Sequence, residues 1–257
     1  MNDSIKIVCE VADHVATLLL NRPRASNALS AAMMVELAEA LADVDSRTDI
    51  RAVVLRGSGR GFCAGADLNE LARQDTAGVA SVEGPLSEVL ARLEYMSKPT
   101  VASLHGYALG GGFLLAIYCD FRIAAVGTRI GYPRSAAHWL PAAGLARLAD
   151  WVGPLRAQQL VLNPGGIGAD EARRLGLVDQ LVSPEELATT TESLAGRLAE
   201  VSPTMVAEAR RMFRQLLGHR GDPWDRAAVT GFARCLVTPE AQDALRAFTE
   251  ARGGGKQ

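Results

Sequence analysis

Residues 104–125 read LHGYALGGGFLLAIYCDFRIAA, and the way this stretch folds decides the architecture of the chain. Gly110, Gly111 and Gly112 stand in a row between two apolar segments. Glycine permits sharp turns and close backbone approach, so the triplet marks the point where an extended segment gives way to a helix. Upstream, PTVASLHG at 99–106 reads as a strand. Downstream, CDFRIAA at 119–125 and TRIGYP at 128–133 read as two more extended pieces. Strand, helix and strand in this order place the chain in the α/β class.

The same alternation extends toward the N-terminus. IKIVCEV (5–11) and VATLLL (15–20) flank ADH (12–14) and suit a hairpin. SAAMMVELAEALADVDS (30–46) has apolar residues at helical spacing with Ser30 as its cap. AVVLRG (52–57) is a short buried strand that runs into GSGRGFCAGADL (57–68), and a helical stretch follows to about Met96, interrupted near Glu83-Gly84-Pro85. After residue 183 the pattern turns almost wholly helical, in SPEELATTTESLAGRLAEV, SPTMVAEARRMFRQLL and PEAQDALRAFTEAR. The expected division is an α/β core over 1–183 and a helical region over 184–257, with a loose GGGKQ tail.

Composition narrows the function classes. Of 257 residues 48% are hydrophobic, enough for a large buried core. The formal net charge of -2, without a single-sign block or interleaved basic and aromatic residues, argues against a nucleic-acid partner. Cys9, Cys63, Cys119 and Cys235 lie far apart and form no CxxC pair, which suits reduced, buried thiols rather than a disulfide framework or a metal site. The N-terminus lacks a basic start followed by an apolar stretch, and the uncharged run Tyr107 to Cys119 is too short and glycine-rich for a bilayer span. A cytoplasmic protein with no membrane partner is expected.

Two loops carry the chemistry. GRGFCAGADL (59–68) and ALGGGFLLAI (108–117) each deliver a glycine-rich turn to a helix start, where free backbone N–H groups attract negative charge. Two such groups converging on one point would form an oxyanion hole. Glycines that merely permit tight turns and close packing are the alternative. Neither loop is a nucleotide fingerprint: GGGFLL lacks the lysine of GxxxxGK[ST], and GSGRGF breaks GxGxxG at its last position.

Taken together, NRPRASNALS, GRGFCAGADL, KPTVASLHGYALGGGFLLAIYCDFRIAA, GYPRSAAHWLPAAG and ADEARRLGLVDQLV resemble the enoyl-CoA hydratase/isomerase family, the crotonase superfamily, over nearly the whole chain. The resemblance implies a spiral of repeated ββα units with a C-terminal helical region used for trimer contacts and site closure, hence a homotrimer or a dimer of trimers. It also implies an acyl-CoA thioester as substrate, in fatty acid metabolism, with coenzyme A entering as part of that substrate and no permanently bound cofactor or metal. Carried over by position, the oxyanion donors are the backbone N–H groups of Ala66 and Gly111. Arg24 falls near the coenzyme's phosphates, and Ala64, Asp67 and Leu68 fall in the stretch whose backbone lies along its adenine and pantetheine.

The same resemblance exposes a departure. The family's two catalytic glutamates, which share one water in hydration, correspond here to Leu114 and Arg134. Leucine cannot exchange a proton, and arginine stays protonated near neutral pH. Arg134 and His138, four residues apart, would share a helical face and offer a carboxylate partner and a general acid or base; Tyr107, Tyr132, Leu114 and Trp139 would line the pocket. A packed His138–Trp139 pair at a core or subunit boundary is the alternative. His105 suits a turn role, and Glu70, Glu88 and Glu94 suit water-facing positions on helices. Three functions stay open: an enzyme of lyase or isomerase type polarising a thioester without the two-glutamate mechanism, a non-catalytic acyl-CoA binding or shuttling protein, and an ordinary enoyl-CoA hydratase.

Overall fold

Asp13 and His14 both take positive φ (47° and 66°), so the chain reverses tightly between β1 (Ile7–Ala12) and β2 (Val15–Leu20) and the two strands pair antiparallel. The computed structural model describes residues 5–72, 79–132, 143–163, 165–217 and 221–253. A loop over 21–30 leads to α1 (Ala31–Ser46), where the Ser30 side chain accepts the Met33 N–H at 3.2 Å as the sequence predicts. Such a cap contributes about 1 kcal/mol. There follow β3 (Ala52–Gly57), α2 (Leu68–Leu71), α3 (Val79–Tyr95), β4 (Thr100–Leu104), β5 (Tyr107–Leu109), α4 (Gly111–Tyr118), β6 (Phe121–Ala125) and β7 (Arg129–Gly131). After α5 (Leu145–Val152), α6 (Pro154–Leu162), β8 (Ile167–Gly168), α7 (Ala169–Arg174) and β9 (Gln180–Val182), only helices remain: α8 (Leu187–Ala199), α9 (Pro203–Leu217), α10 (Gly221–Leu236) and α11 (Pro239–Gly253).

The main sheet runs β1-β2-β3-β4-β6-β9, parallel throughout except for the β1–β2 pair. Helices cover both its faces. Val53, Leu55, Ala102 and Leu104 join one core cluster with Leu37, Leu41 and Leu93 of α1 and α3; the alternate residues Val54, Val101 and Ile123 join a second with Leu187 and Ala195 of α8. Burial of both faces is why AVVL carries no polar residue between its apolar ones. The α/β architecture and the helical C-terminal stretch are therefore as expected, with α8 serving as a layer of the sheet.

One local expectation needs correction. The helix does not break near Glu83-Gly84-Pro85: α3 runs through Pro85 without interruption. Proline removes one N–H bond from the helix, and burial of Val89, Leu90 and Leu93 further along α3 anchors it regardless. A second, three-stranded sheet, β5-β7-β8, adds to the reading: TRIGYP holds β7 as expected, whereas β5 and β8, of three and two residues, show no periodicity. Of the four free cysteines Cys63 and Cys119 are buried as expected, whereas Cys9 is exposed on the edge strand β1.

The opening stretch ends on a buried cation. Arg122 in β6 is inaccessible, pairs with Asp179 at 2.9 Å, donates to the Cys119 carbonyl at 2.7 Å and lies 4.2 Å from the Trp151 ring centroid. It fastens the end of α4 to β9 and α5. Among the described residues no helix is long and apolar enough to cross a membrane, and no group of three or more metal-ligating side chains is present.

Candidate functional site

β3 and β4 are parallel neighbours, so the loops leaving their C-terminal ends start from one edge of the sheet. In parallel α/β sheets this edge is where ligands bind. A short ladder holds the two loops together: the N–H of Phe62 donates to His105 O (3.0 Å), that of Cys63 to Tyr107 O (3.1 Å), and that of Leu109 to Cys63 O (2.9 Å). The loop over 21–30 joins from the other side, with Leu29 N–H on Gly65 O (2.8 Å) and Asp67 N–H on Leu29 O (3.1 Å).

The result brings Ala66 and Gly111 together. A methyl group on Gly65 would lie 2.8 Å from Leu109 O and 3.3 Å from the Gly111 nitrogen; one on Gly111 would lie 3.9 Å from the Ala66 nitrogen. Gly65 has a φ of +95° and Gly110 of +52°, conformations open to glycine. Along 64–67 the N–H groups are used selectively. Ala64 donates to Ser26 O, Gly65 to the Cys63 sulfur and Asp67 to Leu29 O, leaving only that of Ala66 without an acceptor among the described residues. Gly111 is the first residue of α4; its N–H likewise has no acceptor there, while Gly110 before it donates to Gly131 O. Two unpaired N–H groups from adjacent loops, one at a helix start, can stabilise negative charge developing on a single oxygen.

Asn27 holds this arrangement and is a residue that sequence reasoning missed. It is fully buried at a φ of +53°. Its Nδ2 donates to the carbonyls of Ser58, Gly61 and Phe62 (2.8, 3.0 and 3.1 Å) and its Oδ1 accepts from the Arg22 N–H (2.9 Å). Its own carbonyl accepts the Cys63 thiol at 3.0 Å. Burial pushes that thiol up to about 12, so it stays a protonated donor near neutral pH. The available signal was asparagine in a loop, the side chain most tolerant of left-handed backbone after glycine.

The remaining sequence candidates fall as follows. Asp67, 8% exposed at its side chain, pairs with Arg22 at 2.9 Å and caps α2 by accepting the Asn69 N–H. Leu68 packs beside Leu71 against Phe232, Leu236 and Leu245, so α10 and α11 cover α2. Ala64 and Arg24 are exposed. Tyr107 stacks on Gly61, where a methyl group would meet its ring at 2.6 Å, and His105 Nε2 lies 2.9 Å from Gly59 O, a turn role as expected. Glu70 accepts the Ala31 N–H at 2.8 Å, and Glu88 and Glu94 pair with Arg92 and Arg147.

Leu114 is 2% exposed on α4, among Phe113, Leu115 and Ile117, with Gly144 close above it: a methyl on Gly144 would lie 2.3 Å from its Cδ2. Tyr132 meets the Phe113 ring edge-on at a centroid distance of 5.3 Å. Arg134, His138 and Trp139 lie outside the described residues.

Comparison with known proteins gives the family and the fold. The model of the enoyl-CoA hydratase/isomerase family matches residues 10–254, so the chain belongs to that family. It is 33% identical over 253 residues to the short-chain-enoyl-CoA hydratase of Clostridium acetobutylicum, covering 96% of this chain and 95% of the relative. It is 34% identical over 250 residues to the crotonyl-CoA hydratase of Syntrophomonas wolfei, with the same coverage of 96% and 95%. In fold it matches an enoyl-CoA hydratase/isomerase from Mycobacterium paratuberculosis, at a TM-score of 0.86 and 22% identity over 94% of this chain and 98% of that one.

Proposed function

We propose that this protein binds an acyl-CoA thioester and polarises its carbonyl oxygen between the N–H groups of Ala66 and Gly111. The observation that carries this reading is that the Ala66 and Gly111 N–H groups, brought close together on two adjacent loops, have no acceptor among the described residues. A thioester enolate or tetrahedral species carries its charge on that oxygen, and donors fixed in advance need no reorganisation as it develops. In this reading Arg24 meets the coenzyme's phosphates, the backbone at Ala64, Asp67 and Leu68 runs along its adenine and pantetheine, and Tyr107 and Trp139 border the pocket. The helical region over 184–257 closes the site and joins three copies of the chain.

With Leu114 and Arg134 at the family's glutamate positions, water activation by two carboxylates is absent from the reading, and Arg134 and His138 supply a cation and a proton-transfer group instead. A non-catalytic thioester carrier is the second reading; the observation favouring it is the burial of Leu114 in an apolar helix, which gives an acyl chain a floor without a proton donor.

A mass-spectrometric panel of enoyl-, malonyl-type and 3-oxoacyl-CoA thioesters, run beside calorimetry, separates the readings. Turnover of any thioester other than by hydration is the expected result. Tight binding without turnover selects the carrier, rapid hydration of crotonyl-CoA selects an ordinary hydratase, and absence of binding by every thioester overturns the proposal.

A further inference from the structure

Tyr132 places beside α4 a buried phenol hydroxyl without a hydrogen-bond partner among the described residues. It follows β7 directly, and the carbonyl of its neighbour Gly131 accepts the Gly110 N–H at 2.9 Å, so its backbone is tied to the loop that presents Gly111. Its ring packs edge-on to Phe113, with ring planes 73° apart, in the first turn of α4. Its hydroxyl is buried and has no hydrogen-bond partner among the described residues. A buried tyrosine hydroxyl ordinarily finds a partner, because one left unmade keeps its full desolvation cost. Burial, with the Tyr118 phenol adding to it, drives the pKa upward, so the group is a donor at every physiological pH.

Position and chemistry together narrow the partner. Phe113 and Leu114 lie about 3–4.5 Å along the helix axis from Gly111, the reach of the second and third carbons of an acyl chain whose carbonyl oxygen sits on Gly111. The neighbours Phe113 and Leu114 are both buried and apolar, so they offer an acyl oxygen no hydrogen bond, and the Tyr132 hydroxyl is the polar group beside them. A ketone oxygen accepts the phenol's hydrogen and leaves none over, whereas two hydroxyls facing each other share one bond and leave one hydrogen unbonded.

Building on the proposed function, we propose that Tyr132 is a specificity-determining residue whose hydroxyl donates to a 3-oxo oxygen, selecting 3-oxoacyl thioesters over saturated and 3-hydroxyacyl ones. Calorimetry on the full chain with acetoacetyl-CoA, 3-hydroxybutyryl-CoA, butyryl-CoA and free coenzyme A, in wild type and Tyr132→Phe, tests it. Wild type is expected to bind acetoacetyl-CoA about 10-fold more tightly than butyryl-CoA, with 3-hydroxybutyryl-CoA below acetoacetyl-CoA, a margin typical of one buried hydrogen bond. Tyr132→Phe should erase that margin and leave butyryl-CoA and coenzyme A within about twofold, with a melting temperature equal to or above wild type because the unpaired hydroxyl is gone. An equal loss for all thioesters, a lowered melting temperature or no margin in wild type overturns the assignment. Failure of wild type to bind any thioester overturns it together with the proposed function, a result distinct from loss of the margin alone.

Discussion

Replacing Gly112 with alanine is expected to weaken thioester binding by about 10- to 100-fold relative to free coenzyme A, the range for losing a well-placed buried hydrogen bond. An alanine methyl at this position would sit 2.5 Å from Cys63 O and 2.6 Å from Cys63 Cβ. Neither atom is the tip of a flexible side chain, so the first turn of α4 must lift away from the 59–67 loop. That movement separates the two N–H groups, because the Cys63 carbonyl is also the acceptor for the Leu109 N–H. Overpacking of this kind destabilises by roughly 1–3 kcal/mol, or roughly 3–10 °C in melting temperature for a chain of this size. Calorimetry with butyryl-CoA and coenzyme A checks the result, with thermal unfolding alongside. An unchanged ratio of the two affinities would mean that the spacing of the loops has no bearing on thioester recognition.

Asn27→Ala should be the largest stability change near the site. It strips the Nδ2 donor from the carbonyls of Ser58, Gly61 and Phe62 and the Oδ1 acceptor from the Arg22 N–H. Groups left unsatisfied in this buried setting destabilise by about 3–5 kcal/mol together, a fall of about 10 °C or more in thermal unfolding. Two further variants separate the causes. Asn27→Gly loses the same bonds but accepts the φ of +53°, so it should be less destabilised than alanine by about 1 kcal/mol. Asn27→Asp keeps an acceptor for Arg22 yet has no donor for the three carbonyls, and should fall near alanine or below. Wild-type stability in all three would remove Asn27 as the knot of the site.

Much of the fold was legible because its signals are local. ADH between two apolar runs specified the hairpin, Ser30 specified a helix start, and AVVL, apolar on both faces, specified a central strand. Of the minor sheet only β7 was legible, within the extended reading of TRIGYP; β5 and β8 are too short to show a periodicity and exist through pairing with it. Pro85 misled for a related reason: α3 is held by its packing downstream, which outweighs one lost hydrogen bond.

The candidate site divides in the same way. Its loops were readable from glycines, because turns and close approach leave a mark in composition. The restraints on those loops were not. Arg22 pairs with Asp67 across 45 positions, Asn27 bonds carbonyls more than 30 positions away, and side-chain-to-backbone bonds at such separations leave no periodicity. Asp67, whose backbone the family resemblance lays along the coenzyme, holds the Arg22 pair and the α2 cap with its carboxylate.

The central claim is that Gly111 and Ala66 polarise a thioester carbonyl, and isotope-edited infrared spectroscopy of bound butyryl-CoA labelled at the carbonyl carbon reads that directly. Gly111→Pro deletes the N–H while suiting the first position of a helix. Gly111→Ala is its control, since it adds a similar carbon near the Leu29 side chain, 2.8 Å from Cδ1, and keeps the N–H. The carbonyl stretch should move to lower frequency on binding to wild type and to Gly111→Ala, and lose most of that displacement in Gly111→Pro. The same displacement in Gly111→Pro, or none in wild type, would contradict the account.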